Sequence, residues 1–449
     1  MVAGSMGELA LFGGSKAIQT DPGDIFTWPI ITKDMEKAVL EVLRAGKMSG
    51  IDVTLKFERE YAKWYGVKYA LGHNNGTAAV HSALFGLGIG HGDEIICPSI
   101  TYWASCLPVF SLGGTVVFAD IDPETLCVDP KDIERRITAR TKAIVVVHYL
   151  GYPCDMDTIV EIATRHGLKI LEDCSHSHGS LYKSKLTGTF GDVAAFSLMS
   201  GKSFPCGEAG ILLTNDPEIY ERAIAFGHYE RHGDWLHLNY LKAGAGLPWG
   251  GYKYRMHQLS SAVGLVQLRH FPERMKEIDS AMNYFWDLLE GVPGIKAHRP
   301  PKGSESTMGG WYEPVGLYYP EELGGLSVTR FCEAVRAEGV SQCYPGCNRP
   351  LHLHPVFNSV DVYNQGRPTR IANLPDSIDV RQPAGSLPVS ETIQKRVFRV
   401  PWFKHFRPNL IEEYANAFKK VAENYKNLLP GDTGNPEHMG GWGLSAKRR

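Results

Sequence analysis

A chain of 449 residues exceeds what one ordinary hydrophobic core organises, so two or three domains are expected. Its 43% hydrophobic and 21% charged residues are those of a soluble globular protein, and with 47 Lys plus Arg against 49 Asp plus Glu, in no block of like charge, a nucleic-acid-binding face is not expected. Nine scattered cysteines without a C-x-x-C pair argue against a disulfide framework or a zinc ribbon, no apolar stretch reaches membrane-spanning length, and no signal-peptide pattern opens the chain; a cytoplasmic protein without a metal site or membrane partner is expected.

From about residue 67 to 214 short apolar runs alternate with amphipathic segments. Strands are predicted at Tyr69–His73, Glu94–Pro98, Thr115–Ala119, Ala143–His148, Lys169–Glu172, Val193–Leu198 and Ala209–Thr214. Several are nearly continuous apolar runs, such as Ile144-Val145-Val146-Val147, the pattern of strands covered on both faces. Helices are predicted between them at Thr77–Leu87, Trp103–Ser111, Pro130–Thr138, Asp155–His166 and Pro217–Phe226, several opened by Ser, Asp or Pro. The alternation gives an α/β fold with a mostly parallel, doubly wound sheet. Gly86, Gly88, Gly90 and Gly92 resemble a dinucleotide loop, but they follow a helix and precede a strand, the wrong order for that fingerprint, and are read as a turn.

A long helical pattern runs from about Met256 to Leu289, with Phe271-Pro272 as a candidate break. It connects to a smaller α/β unit that ends in a helix at Ile411–Leu428. The domain expectation is an N-terminal segment over 1–30, a large domain over 31–290, a small C-terminal domain over 291–430, and a loose polar tail over 431–449.

Three features could carry chemistry. Glu172-Asp173 ends an apolar strand in two acids, where ligands bind in such sheets, although a loop or capping acid is an equal reading. Lys202 lies in a loop of small residues after the next strand. Taken singly, such a lysine is more often exposed, but one that loses hydration there acquires the lowered pKa a Schiff-base lysine needs. Asn74-Asn75-Gly76-Thr77 stands at a strand-to-helix junction, whose free N–H groups bind anions or are simply capped. In this order on one sheet edge, the three make a site for pyridoxal 5′-phosphate (PLP): phosphate loop, acid for the ring nitrogen, lysine.

The chain resembles the DegT/DnrJ/EryC1/StrS aminotransferases, a branch of the fold type I PLP enzymes, from about Leu11 to Leu428. The resemblance rests on Asn75-Gly76-Thr77-Ala78-Ala79, Gly92-Asp93-Glu94-Ile95-Ile96, Glu172-Asp173-Cys174-Ser175-His176-Ser177-His178-Gly179, Gly191-Asp192, Phe196-Ser197 through Lys202, Gly207-Glu208-Ala209-Gly210 and Gly251-Tyr252-Lys253-Tyr254-Arg255-Met256. It implies a seven-stranded large-domain sheet and transamination of a keto group on a sugar nucleotide or ketocyclitol, with L-glutamate or L-glutamine as amino donor. By the same resemblance Lys202 is the Schiff-base lysine and proton shuttle, Asp173 pairs with the ring nitrogen, and Tyr102 stacks on the ring. Asn75, Gly76, Thr77 and Ser197 hold the phosphate. His176 stands where Gln is common and reaches the phenolic oxygen. Lys253 stands where Asn is common and reaches the phosphate of a neighbouring subunit, which implies a homodimer with shared active sites. His232, Tyr344 and His352 are implied substrate contacts. His176 also occurs in aminobenzoate-forming synthases, an alternative reading together with a catalytically silent binding protein. Ala209 departs from the family's usual Gly.

Overall fold

The computed structural model describes residues 8–442. Its large sheet has seven strands: β1 (Tyr69–His73), β2 (Glu94–Pro98), β3 (Thr115–Ala119), β4 (Thr141–Val147), β5 (Lys169–Asp173), β6 (Val193–Ser197) and β7 (Gly210–Thr214), in spatial order β1-β7-β6-β5-β4-β2-β3. The β2–β3, β2–β4, β4–β5 and β5–β6 pairs are parallel, and β7 alone runs against both of its neighbours. Every residue of β2, β3 and β7 is buried, the physical counterpart of their unbroken apolar runs.

Helices cover both faces. The helix α1 (Gly76–Gly86) follows β1 and is buried nearly all round, which its run of Ala78, Ala79, Val80 and Ala83 permits. The helices α2 (Pro130–Arg136), α3 (Met156–His166) and α4 (Pro217–Gly227) start on Asp129, Asp155 and Asp216, whose carboxylates accept first-turn N–H groups. The predicted helix at Trp103–Ser111 is instead two 3₁₀ turns, Trp103–Ser105 and Leu107–Leu112. Pro108 lacks the N–H that an α-helical ladder needs there.

The long helix α5 (Gln258–Leu288) does not break at Pro272. It forfeits a hydrogen bond there, but packing on both sides overrides the cost. Phe271 is wedged against Trp64 and Phe204 in the large unit, while Ile278, Phe285 and Trp286 enter the core of the small unit. The small unit pairs β8 (Ile295–Ala297), β9 (Val315–Tyr318) and β10 (Val397–Arg399) in an antiparallel sheet. Its helices α6 (Val328–Ala337) and α7 (Pro408–Glu423) close over Phe331, Phe398 and Phe418. The predicted helix at Ile411–Leu428 thus starts earlier, on Pro408, and gives way after Glu423 to a 3₁₀ turn at Tyr425–Asn427.

Both ends of the described residues dock on this small unit. Leu9 and Ile25 lie in its core. The buried carboxylate of Glu338 accepts the N–H groups of Ala10 (2.8 Å) and Ala17 (3.0 Å) and pairs with Lys420 Nζ at 2.9 Å. The tail, expected to be loose, folds back through residue 442: Asp432 receives the Ser327 N–H at 2.7 Å, and Met439 is buried. Residues 443–449 lie outside the described chain.

Glu338→Ala should remove three bonds at once and strand a buried ammonium, at a cost of about 3–5 kcal/mol. Denaturant unfolding would measure the loss, and proteolysis should then reach residues 10–17 first.

Candidate active site

A cleft of about 710 Å³ opens between the two units at the carboxyl ends of the strands, the position ligands take in such sheets. It is lined by Asn75, Gly76, Thr77, Tyr102, Asp173, His176, Ser197, Lys202 and Tyr344, nine of the twelve residues singled out in the sequence. A larger surface groove of about 1070 Å³ runs over Val42, Trp64 and Leu265 and is lined by none of them.

One wall of the cleft is the start of α1. Asn75 caps that helix, its Oδ1 accepting the Ala78 N–H at 2.8 Å. Gly76 and Thr77, the first helical residues, have no intrahelical acceptor for their N–H groups. A Cβ on Gly76 would stand 2.6 Å from Ser197 Cβ, so only glycine lets the helix start this close to the end of β6. The result is a cradle of N–H groups and a hydroxyl at the positive end of a helix.

The end of β5 supplies the acids. Asp173 is buried; its Oδ2 accepts the Ser105 hydroxyl at 2.7 Å and its Oδ1 the Ser175 N–H at 3.0 Å. Because Ser105 gives its proton to Asp173, it accepts in turn from Thr101 at 2.9 Å. Both carboxylate oxygens keep lone pairs for a further donor. Three residues on, His176 is buried, and its Nδ1 accepts the Leu150 N–H at 3.2 Å. That bond is made possible by the left-handed backbone of Leu150, φ 55°. Burial and the nearby Lys202 hold the imidazole well below its ordinary pKa, so it is neutral and carries its proton on Nε2.

Lys202 sits in the loop after β6, held by its own N–H on Met199 O (2.8 Å) and by Trp28 Nε1–H on its carbonyl (2.9 Å). Its Nζ lies 4.1 Å from the centre of the Tyr312 ring, and that ring packs 4.5 Å from His176. Burial pushes the ammonium down to about 8, against the opposing pull of Asp173 and Glu313. An amine of this kind is a nucleophile and base near neutral pH.

Three sequence-selected residues lie elsewhere. His232 is buried beneath α4, with Nε2 on Ile224 O (3.3 Å) and Nδ1 accepting from Gly246 N (3.1 Å). His352 ties the end of β2 to the 388–392 turn, bonding Ser99 Oγ at 2.8 Å and Glu391 at 3.0 Å. Both rings have spent their nitrogens and neither lines the cleft, so they stand apart from the substrate contacts expected of them. Lys253 is exposed beside Tyr229 and does not line the cleft of its own chain.

Sequence reasoning missed Tyr312, Glu313 and Arg399. Glu313 pairs with Arg399 at 2.7 Å, and both line the cleft. The segment that carries Tyr312 has Gly309, Trp311 and Glu313 at φ 53°, 53° and 45°, a density of left-handed residues that marks an over-determined functional loop. Among the described residues one cluster has the makings of a metal site: His148, Glu172 and Cys174. Its carboxylate is already filled by His148 Nε2–H (3.0 Å) and the N–H groups of Gly188, Phe190 and Gly191 (2.7–2.8 Å), so it serves as an internal anchor.

The description of the DegT/DnrJ/EryC1/StrS aminotransferase family matches residues 29–419. The chain belongs to this family. It is 35% identical over 391 residues to the dTDP-3-amino-3,4,6-trideoxy-alpha-D-glucose transaminase of Streptomyces venezuelae, covering 87% of this chain and 92% of that protein. It is 29% identical over 415 residues to the L-glutamine:2-deoxy-scyllo-inosose aminotransferase of Streptomyces kanamyceticus, covering 88% and 93%. Among solved structures, an aminotransferase from Psychrobacter cryohalolentis superposes with a TM-score of 0.75 at 28% identity, over 89% of this chain and 99% of that one. The chain is therefore a PLP-dependent aminotransferase of fold type I, with relatives that act in sugar and cyclitol biosynthesis.

The residues present fit that cofactor. The glycine-only start of α1 with Ser197 suits a phosphate, the buried Asp173 retains acceptor capacity for a protonated ring nitrogen, and His176 offers Nε2–H to a phenolic oxygen. Bound, the cofactor supplies an electron sink for the substrate carbon. Asp173 would keep that sink protonated, because an anion stabilises a neighbouring cation. With the cofactor bound, Lys202 Nζ would be the group placed to take and return the substrate proton, and its lowered basicity would suit both directions.

In cofactor-free protein, acylation of Lys202 should rise with pH and level off above about 8, whereas exposed lysines keep gaining reactivity towards roughly 10.4. Competitive labelling read by peptide mass spectrometry measures both curves. Gly76→Ala should weaken cofactor binding by on the order of tenfold or more, as equilibrium titration would show, because α1 must retreat from Ser197.

Proposed function

We propose that this enzyme takes an amino group from L-glutamate or L-glutamine and delivers it to a keto group on a sugar nucleotide or ketocyclitol, in two half-reactions through one cleft. The observation that carries the reading is the buried Lys202 amine, pushed down to about 8, in one cleft with the Asp173 carboxylate and the open start of α1. The acceptor class is supported by relatives whose names specify an amino-deoxy sugar nucleotide and an inosose. The polar side chains of the cleft, among them Gln342, Asn348, Glu313 and Arg399, are suited to reading hydroxyl groups.

Two subunits share each site in this reading, with Lys253 of one chain serving as a point charge for the phosphate bound by the other. Its exposure and its absence from the lining of its own cleft fit such a role. Cytoplasmic action is part of the same proposal; among the described residues no helix is long and apolar enough to cross a membrane.

The test begins with the visible absorption of the PLP-loaded protein, which glutamate or glutamine should bleach. A protein that takes up no cofactor, or whose band ignores both donors, would refute the reading. Lys202→Ala should keep the fold by circular dichroism yet lose at least about 10²–10⁴-fold in turnover. Unfolding and refolding an equimolar mixture of Lys202→Ala and Lys253→Ala chains should restore about a quarter of wild-type activity, because each mixed dimer regains one intact site. No recovery would place Lys253 outside the partner's site.

A further inference from the structure

The family match ends at residue 419, yet the cleft is lined by residues that come later: Gly440 and Gly441. The stretch that delivers them is built in, not draped. At its start, Asp432 takes both the N–H and the hydroxyl of Ser327, at 2.7 and 2.6 Å, and Asn435 Oδ1 takes the N–H and hydroxyl of Thr329, at 3.1 and 2.9 Å. These bonds satisfy open donors at the beginning of α6 and put an anion at its positive end. Met439 then enters the small-unit core.

At the far end, Arg349 N donates to Gly441 O at 3.0 Å, the Arg349 guanidinium lies 4.4 Å from the Trp442 ring centre, and His354 meets that ring edge-on at 4.8 Å. Between these anchors the backbone passes over the 346–348 loop so tightly that a Cβ on Gly440 would stand 2.0 Å from Cys347 O, and Gly440 holds a left-handed φ of 74°. Two independent requirements, space and conformation, demand glycine there. The strap lines the same cleft as Gln342, whose Oε1 is buried without a hydrogen-bond partner and is therefore an acceptor awaiting a donor.

We infer that residues 432–442 form a specificity strap that completes the acceptor subsite and selects a hydroxylated ring by closing the cleft behind it. This rests on the aminotransferase reading above. The amino donor is the shorter substrate and reacts at Lys202, whereas a ring with hydroxyl groups extends to the wall that the strap and Gln342 make. The strap therefore acts on the second half-reaction and leaves the first alone.

The test uses the PLP-loaded full chain, Gly440→Ala, and a chain ended at Gly431. Gly440→Ala keeps the Asp432 and Asn435 anchors, so it displaces the lining without uncapping α6. Donor half-reactions are followed with glutamate and glutamine, acceptor half-reactions with 2-deoxy-scyllo-inosose and with a dTDP-linked keto-deoxy sugar. If the intact chain uses either acceptor, both variants should lose on the order of tenfold or more in kcat/KM for it, with donor bleaching changed less than about twofold. If the intact chain uses neither, the shortened chain should gain one of them. Equal losses in both half-reactions, no change in either, or no gain by the shortened chain would overturn the inference. Failure of the intact protein to bleach with any donor would instead refute the aminotransferase reading itself.

Discussion

The carboxylate of Glu172 is the bond on which the site depends. Buried at the end of β5, it draws in the His148 ring from the end of β4 and the backbone of Gly188, Phe190 and Gly191 from the start of β6. The His148 N–H in turn bonds the carbonyl of Asp173, and Cys154 N donates to the other ring nitrogen. Three strand ends are thereby fixed to one another, and the segment 173–178 leaves the sheet in a single course. Asp173 and His176 are aimed as a consequence of a charge that touches no substrate. A buried carboxylate is tolerated there because its hydrogen bonds and a neighbouring imidazole offset its desolvation, which also holds it below the usual carboxylate range.

The sheet was legible in the sequence because its strands are buried on both faces and carry no competing signal. The predicted Tyr69–His73, Glu94–Pro98 and Thr115–Ala119 agree with β1, β2 and β3 end to end. Lys202 and Asp173 were legible as a pair because each follows a strand on the same sheet edge, although neither was informative alone. Helix limits were weaker: Pro272 reads as a break by local rules, and the two cores that α5 joins keep the helix continuous.

What escaped were contacts made across sequence distance. Ser105 and Thr101 support Asp173 from a 3₁₀ turn with no periodicity to announce it. Tyr312 and Glu313 reach the cleft through a strained loop whose only trace in the sequence is Gly309-Gly310 and a proline. The placement of His232 and His352 was illegible for a related reason: a histidine near a motif looks the same whether its nitrogens face a cavity or are spent on Ile224, Gly246, Ser99 and Glu391.

The docking of both ends of the described residues on the small unit has a consequence for biosynthesis. The large sheet is complete in sequence by Thr214, so it can assemble while translation continues. Residues 10–17 cannot settle then, because Glu338 and Lys420, which receive Ala10, Ser15 and Ala17, have not yet been made. Trp28, which holds the carbonyl of Lys202, waits with them. The nascent enzyme therefore carries a folded sheet with an unfinished lysine loop until the small unit that receives the N-terminal segment has been made.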